Sequence, residues 1–220
     1  MKIPLSVKRE RGLTLVELLV IIAILTIFYI MLGVPTAKDK ARALRIQCVN
    51  NLKQCALATR VWEGDNDTRF PTQVSVTNGG SMELTIGPNA WRTFQVMSNE
   101  LSTPKIVICP QDSTRFFATN FTAFCNSNVS FFVGVDANER DPSGILYGDR
   151  NITNGMPIRN GLLTLTTNRP TGWTSDIHNK AGNIALADGS VQQVSNSGLQ
   201  AAVANSGMES TRLQMPILGP

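Results

Sequence analysis

The sequence predicts an α+β fold in which one long N-terminal helix packs its second half on a small head built around an antiparallel sheet. An apolar run covers residues 13–34, and apolar positions then recur about every 3.6 residues as far as residue 62. Farther along, short alternating runs are separated by turn dipeptides such as Asp188-Gly189. A helical period followed by strand-like alternation is typical of this fold class.

Composition and charge exclude two broad classes of protein. The chain has 220 residues, of which 42% are hydrophobic and 16% are charged, so it can bury a core and is not a disordered polyelectrolyte. Its net charge of +4 comes mainly from residues 1–12, where four basic side chains accompany one acidic side chain. Because the rest of the chain carries little excess charge, we find no basic face for nucleic acid and predict no nucleic-acid partner.

The apolar run at residues 13–34 is long enough to cross a bilayer, since a helix of that length spans about 33 Å. The basic residues before it predict a cytoplasmic N-terminus and an exported remainder. A cleavable secretory signal fits less well, because its apolar region is shorter and ends in a small-x-small site that residues 31–34 do not supply. A plain membrane anchor is the other alternative.

Glu17 is the one charged residue in this apolar run. A carboxylate inside a membrane helix costs a few kcal/mol unless it is paired or protonated. Glu17 therefore either lies near the membrane interface, where its side chain reaches water, or awaits a cation from another subunit. The residues alone leave both interpretations open.

Residues 11–20, Arg-Gly-Leu-Thr-Leu-Val-Glu-Leu-Leu-Val, resemble the class III signal of type IV prepilins and type II secretion pseudopilins. The resemblance implies cleavage by prepilin peptidase between Gly12 and Leu13 on the cytoplasmic side, and then N-methylation of Leu13. The apolar segment stays attached as the polymerisation helix. Leu13 stands where these signals usually have Phe. Glu17 lies one helical turn from the new amine and is expected to pair with the amine of a neighbouring subunit.

The second half of the helix is predicted to be amphipathic, with a buried stripe at Ala37, Ala41, Leu44, Cys48, Leu52, Cys55, Thr59 and Trp62. Pro35 interrupts a helical hydrogen bond and predicts a kink. A polar turn at residues 64–67 ends the helix. The predicted plan is a leader at 1–12, a transmembrane and polymerisation helix at 13–34, its amphipathic continuation at 35–63, a globular head at 64–205 and a loose tail at 206–220.

The head is predicted to combine short strands with two short helices. Strands are expected at residues 73–77, 105–109, 129–136, 162–166, 183–187 and 190–194. Helices are expected at residues 89–101 and 198–204, the second with Ser197 as its N-cap. Asp188-Gly189 lies between two alternating runs and predicts a two-residue hairpin with a type I′ turn.

A second resemblance joins both ends of the chain. His178, nine residues and then Asp188-Gly189 resemble the His-x9-Asp-Gly signature of a prepilin-associated subgroup. Residues 48–54, followed by residues 65–67 and 70–71, also resemble that subgroup. The resemblance implies one pilin-like architecture over most of the chain, but it supplies no biochemical role for the motif. From the residues we expect structural roles for His178, Asp188 and Gly189, with His178 bonded to the hairpin that it precedes.

The four cysteines allow several arrangements. Cys48 and Cys55 lie about 10.5 Å apart on one helix, which is too far for a mutual disulfide, and both suit a helix core. Cys109 and Cys125 fall in the exported head, where either a disulfide between them or free buried thiols are permitted. No Cys-x-x-Cys or histidine-rich spacing predicts zinc.

Other chemistry finds little support in the sequence. Asp65 and Asp67 form an oxygen-rich turn, and some pseudopilins use a calcium site, so the resemblance keeps calcium as the one cofactor to consider; ordinary Asx turns explain these residues more simply. An exported hydrolase would need His178 with Asp188 and Cys109, but no Gly-x-Ser-x-Gly elbow exists, and no phosphate-binding loop is present. We therefore expect no enzyme activity.

The sequence thus predicts a prepilin-like structural subunit of the bacterial inner membrane, with its N-terminus in the cytoplasm and its head exported to the periplasm or cell surface. The expected partners are prepilin peptidase, other pilin or pseudopilin subunits and the inner-membrane assembly machinery. The main alternative is a single-pass anchored envelope-binding module that does not polymerise.

Overall fold

The computed structural model of the chain describes residues 12–31, 33 and 36–218. Residues 1–11 of the predicted leader and the predicted kink at Pro35 lie outside the described residues. The chain divides into two units, Met1–Lys40 and Ala41–Pro220. The first unit contains the apolar helix, and the second contains the sheet and the head.

The apolar helix, α1, spans Leu15–Met31 and consists mainly of Leu, Ile and Val. None of its residues is buried: Leu13, just before it, is 71% exposed, and Met31 at its end is 80% exposed. It therefore presents apolar side chains on all sides. Among the described residues, no helix has both the length and the apolarity that crossing a membrane requires.

The amphipathic helix, α2, spans Ala37–Gly64. The predicted stripe is confirmed in its later part, where the buried members are Cys48, Leu52, Cys55, Thr59 and Trp62. Lys53 and Arg60 lie on the exposed face. This helix therefore packs on the head with the face that the 3.6-residue period predicts.

The head is organised by β-strands that pair in antiparallel fashion. The strands are β1 (Phe131–Gly134), β2 (Ile145–Asp149), β3 (Ile152–Thr153), β4 (Leu162–Thr166), β5 (Gly172–Trp173), β6 (Gly182–Leu186), β7 (Val191–Val194) and β8 (Ser210–Gln214). Within the described residues they form a six-stranded sheet, in the order β4-β8-β1-β2-β6-β7, and a separate β3-β5 pair.

Short helices complete the head. The α-helices are α3 (Ala90–Val96), α4 (Ser98–Leu101) and α5 (Asn196–Asn205). The 3-10 helices are Pro71–Gln73, Val76–Asn78, Met82–Leu84, Pro104–Val107 and Asn126–Asn128. The predicted helix at 89–101 is therefore present as α3 and α4. The helix predicted at 198–204 is present as α5, but its N-cap is Ser195, whose Oγ accepts the Gly198 N–H at 3.3 Å.

Apolar side chains cover both faces of the sheet. On one face, Phe131 and Val133 of β1 join the buried residues of α2. On the other, Phe132 joins Leu199 and Val203 of α5. This alternation is the two-residue period of a strand that is buried on both faces. The predicted fold class, with a helix packed on an antiparallel sheet, is therefore confirmed.

Two of the predicted strands are wrong. Residues 73–77 fall in and between two 3-10 helices, and residues 105–109 overlap the 3-10 helix Pro104–Val107. Pro71 and Pro104 occupy the first positions of two of these turns, where a fixed φ and a missing N–H favour a helical turn. Local turn chemistry thus overrides the strand-like composition.

The C-terminal segment is also different from the prediction. Residues 206–220 were expected to be a loose tail, but Ser210–Gln214 forms β8, which lies between β4 and β1 inside the sheet. Leu213 and Gln214 are fully buried there. The segment is ordered by cross-strand pairing with partners far away in sequence, which a local pattern does not reveal.

The hairpin of β6 and β7 is confirmed, but its turn is not type I′. Gly189 has a φ of 87°, whereas Asp188 is not among the residues with positive φ. The Leu186 carbonyl accepts the Gly189 N–H, and the Leu186 N–H donates to the Ser190 carbonyl, both at 2.9 Å. These bonds close a three-residue loop with Gly189 as the left-handed residue of a bulge.

We expect Gly189→Ala to lower the free energy of unfolding by about 1 kcal/mol, because a Cβ is disfavoured at positive φ. Open space surrounds Gly189, so steric clash adds nothing. Gly64→Ala is the matched control, since Gly64 also has open space but an ordinary φ. Urea denaturation of both variants measures the difference; equal stabilities would contradict the turn assignment.

Candidate functional site

The start of α1 forms a reciprocal capping arrangement. Thr14 donates from its backbone N–H and from its hydroxyl to Oε2 of Glu17, at 2.9 Å in both cases. The Glu17 N–H donates back to the Thr14 Oγ1 at 3.3 Å. This capping box satisfies backbone donors that the first helical turn leaves free. It also holds the Glu17 carboxylate at the end of α1 where the predicted cleavage point lies.

Gly12 and Leu13 are both exposed at this end of the helix. A Cβ built on Gly12 would meet nothing within 4 Å. The packing of the chain itself therefore does not require glycine at this position. A requirement for glycine must come from an enzyme whose site reads the backbone closely.

A second site gathers buried side chains from four segments of the head. Cys48 comes from α2, Cys109 from the loop after a 3-10 helix, Asp149 from the last position of β2, and His178 from the loop before β6. One ligand-type atom of each, two sulfurs, a carboxylate oxygen and an imidazole nitrogen, lies within 4.8 Å of all the others. We call these four residues the buried cluster. Such groups are rarely gathered in an interior unless they bond one another or an ion.

The contacts within the buried cluster are short. Cys48 Sγ lies 3.1 Å from Asp149 Oδ1, and Cys109 Sγ lies 3.4 Å from His178 Nε2. The same Nε2 lies 3.4 Å from Asp149 Oδ2. These contacts join the four side chains in the order Cys48, Asp149, His178 and Cys109.

Asn183 on β6 holds the carboxylate of the buried cluster. Its backbone N–H and its Nδ2 both donate to Asp149 Oδ2, at 2.7 and 2.9 Å. Nδ2 also lies 3.1 Å from His178 Nε2. Because Gly148 of β2 pairs with Ile184 of β6, the sheet register makes Asp149 and Asn183 close neighbours.

The loop that carries His178 has an unusual backbone. His178, Asn179 and Lys180 have φ values of 40°, 48° and 61°. Consecutive non-glycine residues in this region cost on the order of 1 kcal/mol each. His178 Nδ1 lies 2.8 Å from Gln111 Oε1. Since that oxygen only accepts, Nδ1 carries the proton and Nε2 turns its lone pair toward the cluster.

Burial sets the protonation of the cluster. Desolvation raises the pKa of the Asp149 carboxyl, although bonds from Cys48 and Asn183 lower it. Desolvation also raises the pKa of the Cys48 thiol. The pKa of His178 is lowered by burial and by the nearby charge of Arg45. His178 is therefore neutral near pH 7, and its contact with Asp149 is not an ion pair.

A buried ion pair anchors the surroundings of the cluster. Arg150, which follows Asp149 in the chain, donates from Nε and Nη2 to the two oxygens of Asp112, at 2.7 and 2.8 Å. The Asp112 side chain is only 1% exposed. This two-point contact fastens the loop that carries Cys109 and Gln111 to the end of β2.

The structure places the ends of the His-x9-Asp-Gly motif in different surroundings. His178 is buried and contacts Asn183 in the first strand of the hairpin. Asp188 is exposed in the hairpin turn, where it accepts the Ser190 N–H at 2.8 Å, and Gly189 supplies the positive φ. The motif therefore brackets β6 and does not form one site.

The disulfide between Cys109 and Cys125, which the sequence left open, is not formed. All four cysteines lie in the described part of the chain and are free thiols. Cys125 is exposed, with its Sγ 3.0 Å from Ser127 Oγ, while Cys109 is buried beside His178. The fold brings Cys109 to Cys48 of the buried cluster and not to Cys125.

The turn at Asp65 and Asp67 is explained by its own bonds. The Asp65 N–H donates to the Trp62 carbonyl at 3.2 Å, and Asp67 Oδ2 accepts from Arg69 at 3.2 Å. Both aspartates are exposed. Calcium binding by these residues stays a prediction.

Sequence reasoning missed Cys48 and Asp149 as neighbours of His178. The helical spacing marks Cys48 only as a core position, and Asp149 ends a strand that no clear alternation reveals. Gln111 and Asn183 carry no signal of their own. One signal in the sequence could have indicated the cluster: cysteines lie at predicted core positions in a chain that has a single histidine.

The helix and antiparallel sheet of the head, together with a capped and exposed apolar helix, define a pilin-like α+β architecture. Residues 7–32 match the family model described as Prokaryotic N-terminal methylation motif. The chain therefore carries a prepilin-type N-terminal signal, as residues 11–20 predicted. The match does not reach His178 or Asp188, whose motif rests on resemblance alone. No curated protein and no solved structure is significantly similar to the chain.

We expect Asn183→Ala to lower the free energy of unfolding by about 2 kcal/mol, because it removes a donor from a buried carboxylate and leaves His178 less well satisfied. Asn50→Ala, at an exposed position of α2, is the control and should change stability little. Urea denaturation followed by tryptophan fluorescence measures both. Equal effects of the two substitutions would argue against the bonding role of Asn183.

Proposed function

We propose that the chain is a prepilin-like structural subunit, cleaved between Gly12 and Leu13 and N-methylated on Leu13 by prepilin peptidase. Its apolar helix then assembles with other pilin or pseudopilin subunits into a type IV pilus or a type II secretion pseudopilus. The match of residues 7–32 to the methylation motif carries this proposal.

The exposure of α1 supports an assembly role. Every described position from Leu15 to Met31 is exposed, and Glu17 is the only charged residue among them. An apolar helix with exposed side chains is stable only in lipid or among other apolar helices. Before assembly, the helix would lie in the lipid of the bacterial inner membrane, with the head exported. After assembly, it would lie among the apolar helices of other subunits. The inner-membrane assembly machinery would move the subunit from one to the other.

The geometry of Glu17 supports pairing between subunits. Both bonds from Thr14 go to Oε2, and within the described chain no bond is made to Oε1. Cleavage at Gly12 creates an amine on Leu13, and a buried unpaired cation costs several kcal/mol. Oε1 of Glu17 is then available to the amine of a neighbouring subunit, which sets the axial register of the helices.

The buried cluster argues against the hydrolase alternative. Cys109 and His178 do contact each other, but Cys109 is 0% exposed, as is the His178 side chain. A substrate needs access to a nucleophile, and an activated cysteine has a partly exposed, electropositive environment. We therefore propose a structural subunit without enzyme activity.

Gly12→Val should abolish processing, because a branched side chain cannot enter a site that reads the backbone at glycine. Leu13→Phe is the control and should still be cleaved, since it restores the usual residue of the signal. Intact-mass measurement of the membrane-extracted protein reports both the cleavage and the added methyl group. The processing proposal fails if the Gly12→Val protein begins at Leu13.

Glu17→Gln separates charge pairing from helix capping. Glutamine can still take the capping-box position, but it cannot neutralise an amine. We expect Glu17→Gln and Glu17→Ala to be cleaved and membrane-resident but absent from filaments, and Glu17→Asp to be intermediate. Crosslinking between subunits, beside membrane fractionation, measures this. Wild-type crosslinking by Glu17→Gln would refute pairing; crosslinking lost in Ala but kept in Gln would assign Glu17 to capping.

A further inference from the structure

We propose that Cys48, Cys109, Asp149 and His178 bind one zinc ion that cross-links the head of this protein. The two sulfurs, one carboxylate oxygen and one imidazole nitrogen are all donors that tetrahedral zinc accepts. The inference is independent of filament assembly.

The spacing of the donors fits a tetrahedral ion. With bonds of about 2.3 Å to sulfur and about 2.0 Å to nitrogen or oxygen, tetrahedral donors lie about 3.3–3.8 Å apart. Cys109 Sγ and His178 Nε2 lie 3.4 Å apart, within this range, and the same Nε2 lies 3.4 Å from Asp149 Oδ2. Cys48 Sγ lies 3.1 Å from the other carboxylate oxygen, Oδ1, which is shorter than a tetrahedral edge. All four donor atoms lie within 4.8 Å of one another. To receive the ion, the most widely separated donors would approach each other by up to about 1 Å, and one carboxylate oxygen of Asp149 would serve as the ligand.

The neighbours of the donors orient them as in a metal site. Gln111 Oε1 accepts the proton of His178 Nδ1 at 2.8 Å, so Nε2 presents its lone pair on the side of the cluster. Asn183 Nδ2 lies 3.1 Å from Nε2 and 3.5 Å from Cys48 Sγ, and the ion would replace these contacts. Asn183 donates twice to Asp149 Oδ2, which leaves Oδ1 toward Cys48. A fixed tautomer and a fixed carboxylate are the supports that zinc ligands usually have.

The charge of the site is compatible with zinc. Binding deprotonates the two thiols, so the two positive charges of the ion replace two protons and the net charge is unchanged. Four buried protein donors would leave the ion no coordination position for water or substrate. The site is therefore structural and not catalytic.

A zinc cross-link would suit this head. It ties α2, the loop at Cys109, the end of β2 and the loop at His178, which are distant in sequence. All four cysteines are free thiols, so no disulfide performs this task. A disulfide between Cys48 and Cys109 is the alternative to a bound ion. It would remove the thiol hydrogen bond from Cys48 to Asp149 and the contact of Cys109 with His178 Nε2.

The test uses the full chain, extracted in detergent, stripped of metal under reducing conditions and titrated with Zn²⁺ alone. We expect about one zinc per chain by elemental analysis and a higher melting temperature with zinc than without it. Co²⁺ in its place should give the intense visible absorption of tetrahedral cobalt with thiolate ligands. These measurements on the wild-type protein do not depend on the folding of any variant.

Variants identify the ligands. Cys109→Ser should reduce bound zinc to less than about a tenth, and Gln111→Ala should weaken zinc binding about tenfold by releasing the imidazole. Cys55→Ser is the matched control. Cys55 is buried like Cys109, but it lies on α2 and donates to the Ile106 carbonyl outside the cluster. Cys55→Ser should therefore keep its zinc.

Three outcomes would overturn the proposal. A wild-type chain that takes up no zinc and melts at the same temperature with and without it holds only a hydrogen-bonded cluster. A Cys109→Ser chain that binds as much zinc as the wild type places the ion elsewhere. A chain isolated without reductant whose Cys48 and Cys109 are joined by a disulfide, as peptide mass mapping would reveal, has a covalent cross-link in place of the ion.

Discussion

The buried carboxylate of Asp149 constrains the arrangement of the whole head. It is fully buried, and its hydrogen-bond donors come from α2 through Cys48 and from β6 through Asn183. A buried carboxylate that loses its partners costs several kcal/mol, so these segments are held at fixed positions around it. A second polar link, between Thr59 of α2 and Tyr147 of β2 at 2.7 Å, lies farther along the same helix. Apolar packing is not directional and would allow α2 to shift along its axis against the sheet. The two hydrogen bonds, from Cys48 to Asp149 and between Thr59 and Tyr147, fix its axial position.

Asn151, which follows Arg150 in the chain, holds the strained loop at His178 in place. Asn151 donates from Nδ2 to the carbonyls of Thr174 and Ala181, at 3.1 and 3.2 Å, and its own carbonyl accepts the Thr174 N–H at 2.7 Å. Both ends of the loop are thus bound to one buried side chain. Non-glycine residues keep left-handed φ values only where surrounding contacts hold the backbone in place. Here this backbone directs the imidazole of His178 into the core.

The two N-terminal helices begin with the same device. Thr36 donates from its N–H and its hydroxyl to Asp39 Oδ2, at 3.1 and 2.6 Å, and the Asp39 N–H returns a bond to the threonine at 3.3 Å. Thr14 and Glu17 repeat this arrangement at α1. A helix with no buried residue depends on such local bonds, and none of the residues of α1 is buried. Glu17 therefore has a local role before any neighbour is present.

The sequence by itself determined the local features of this protein. The signal at residues 7–32, the amphipathic period of α2, the strand at residues 162–166 and the Gly189 hairpin all follow from residues close together in the chain. Only the tertiary structure decided the rest. β8 entered the sheet through partners distant in sequence. The buried cluster was beyond local patterns for the same reason, since Cys48, Cys109, Asp149 and His178 carry no diagnostic spacing and meet only because strand pairing and helix docking bring four separate segments to one point.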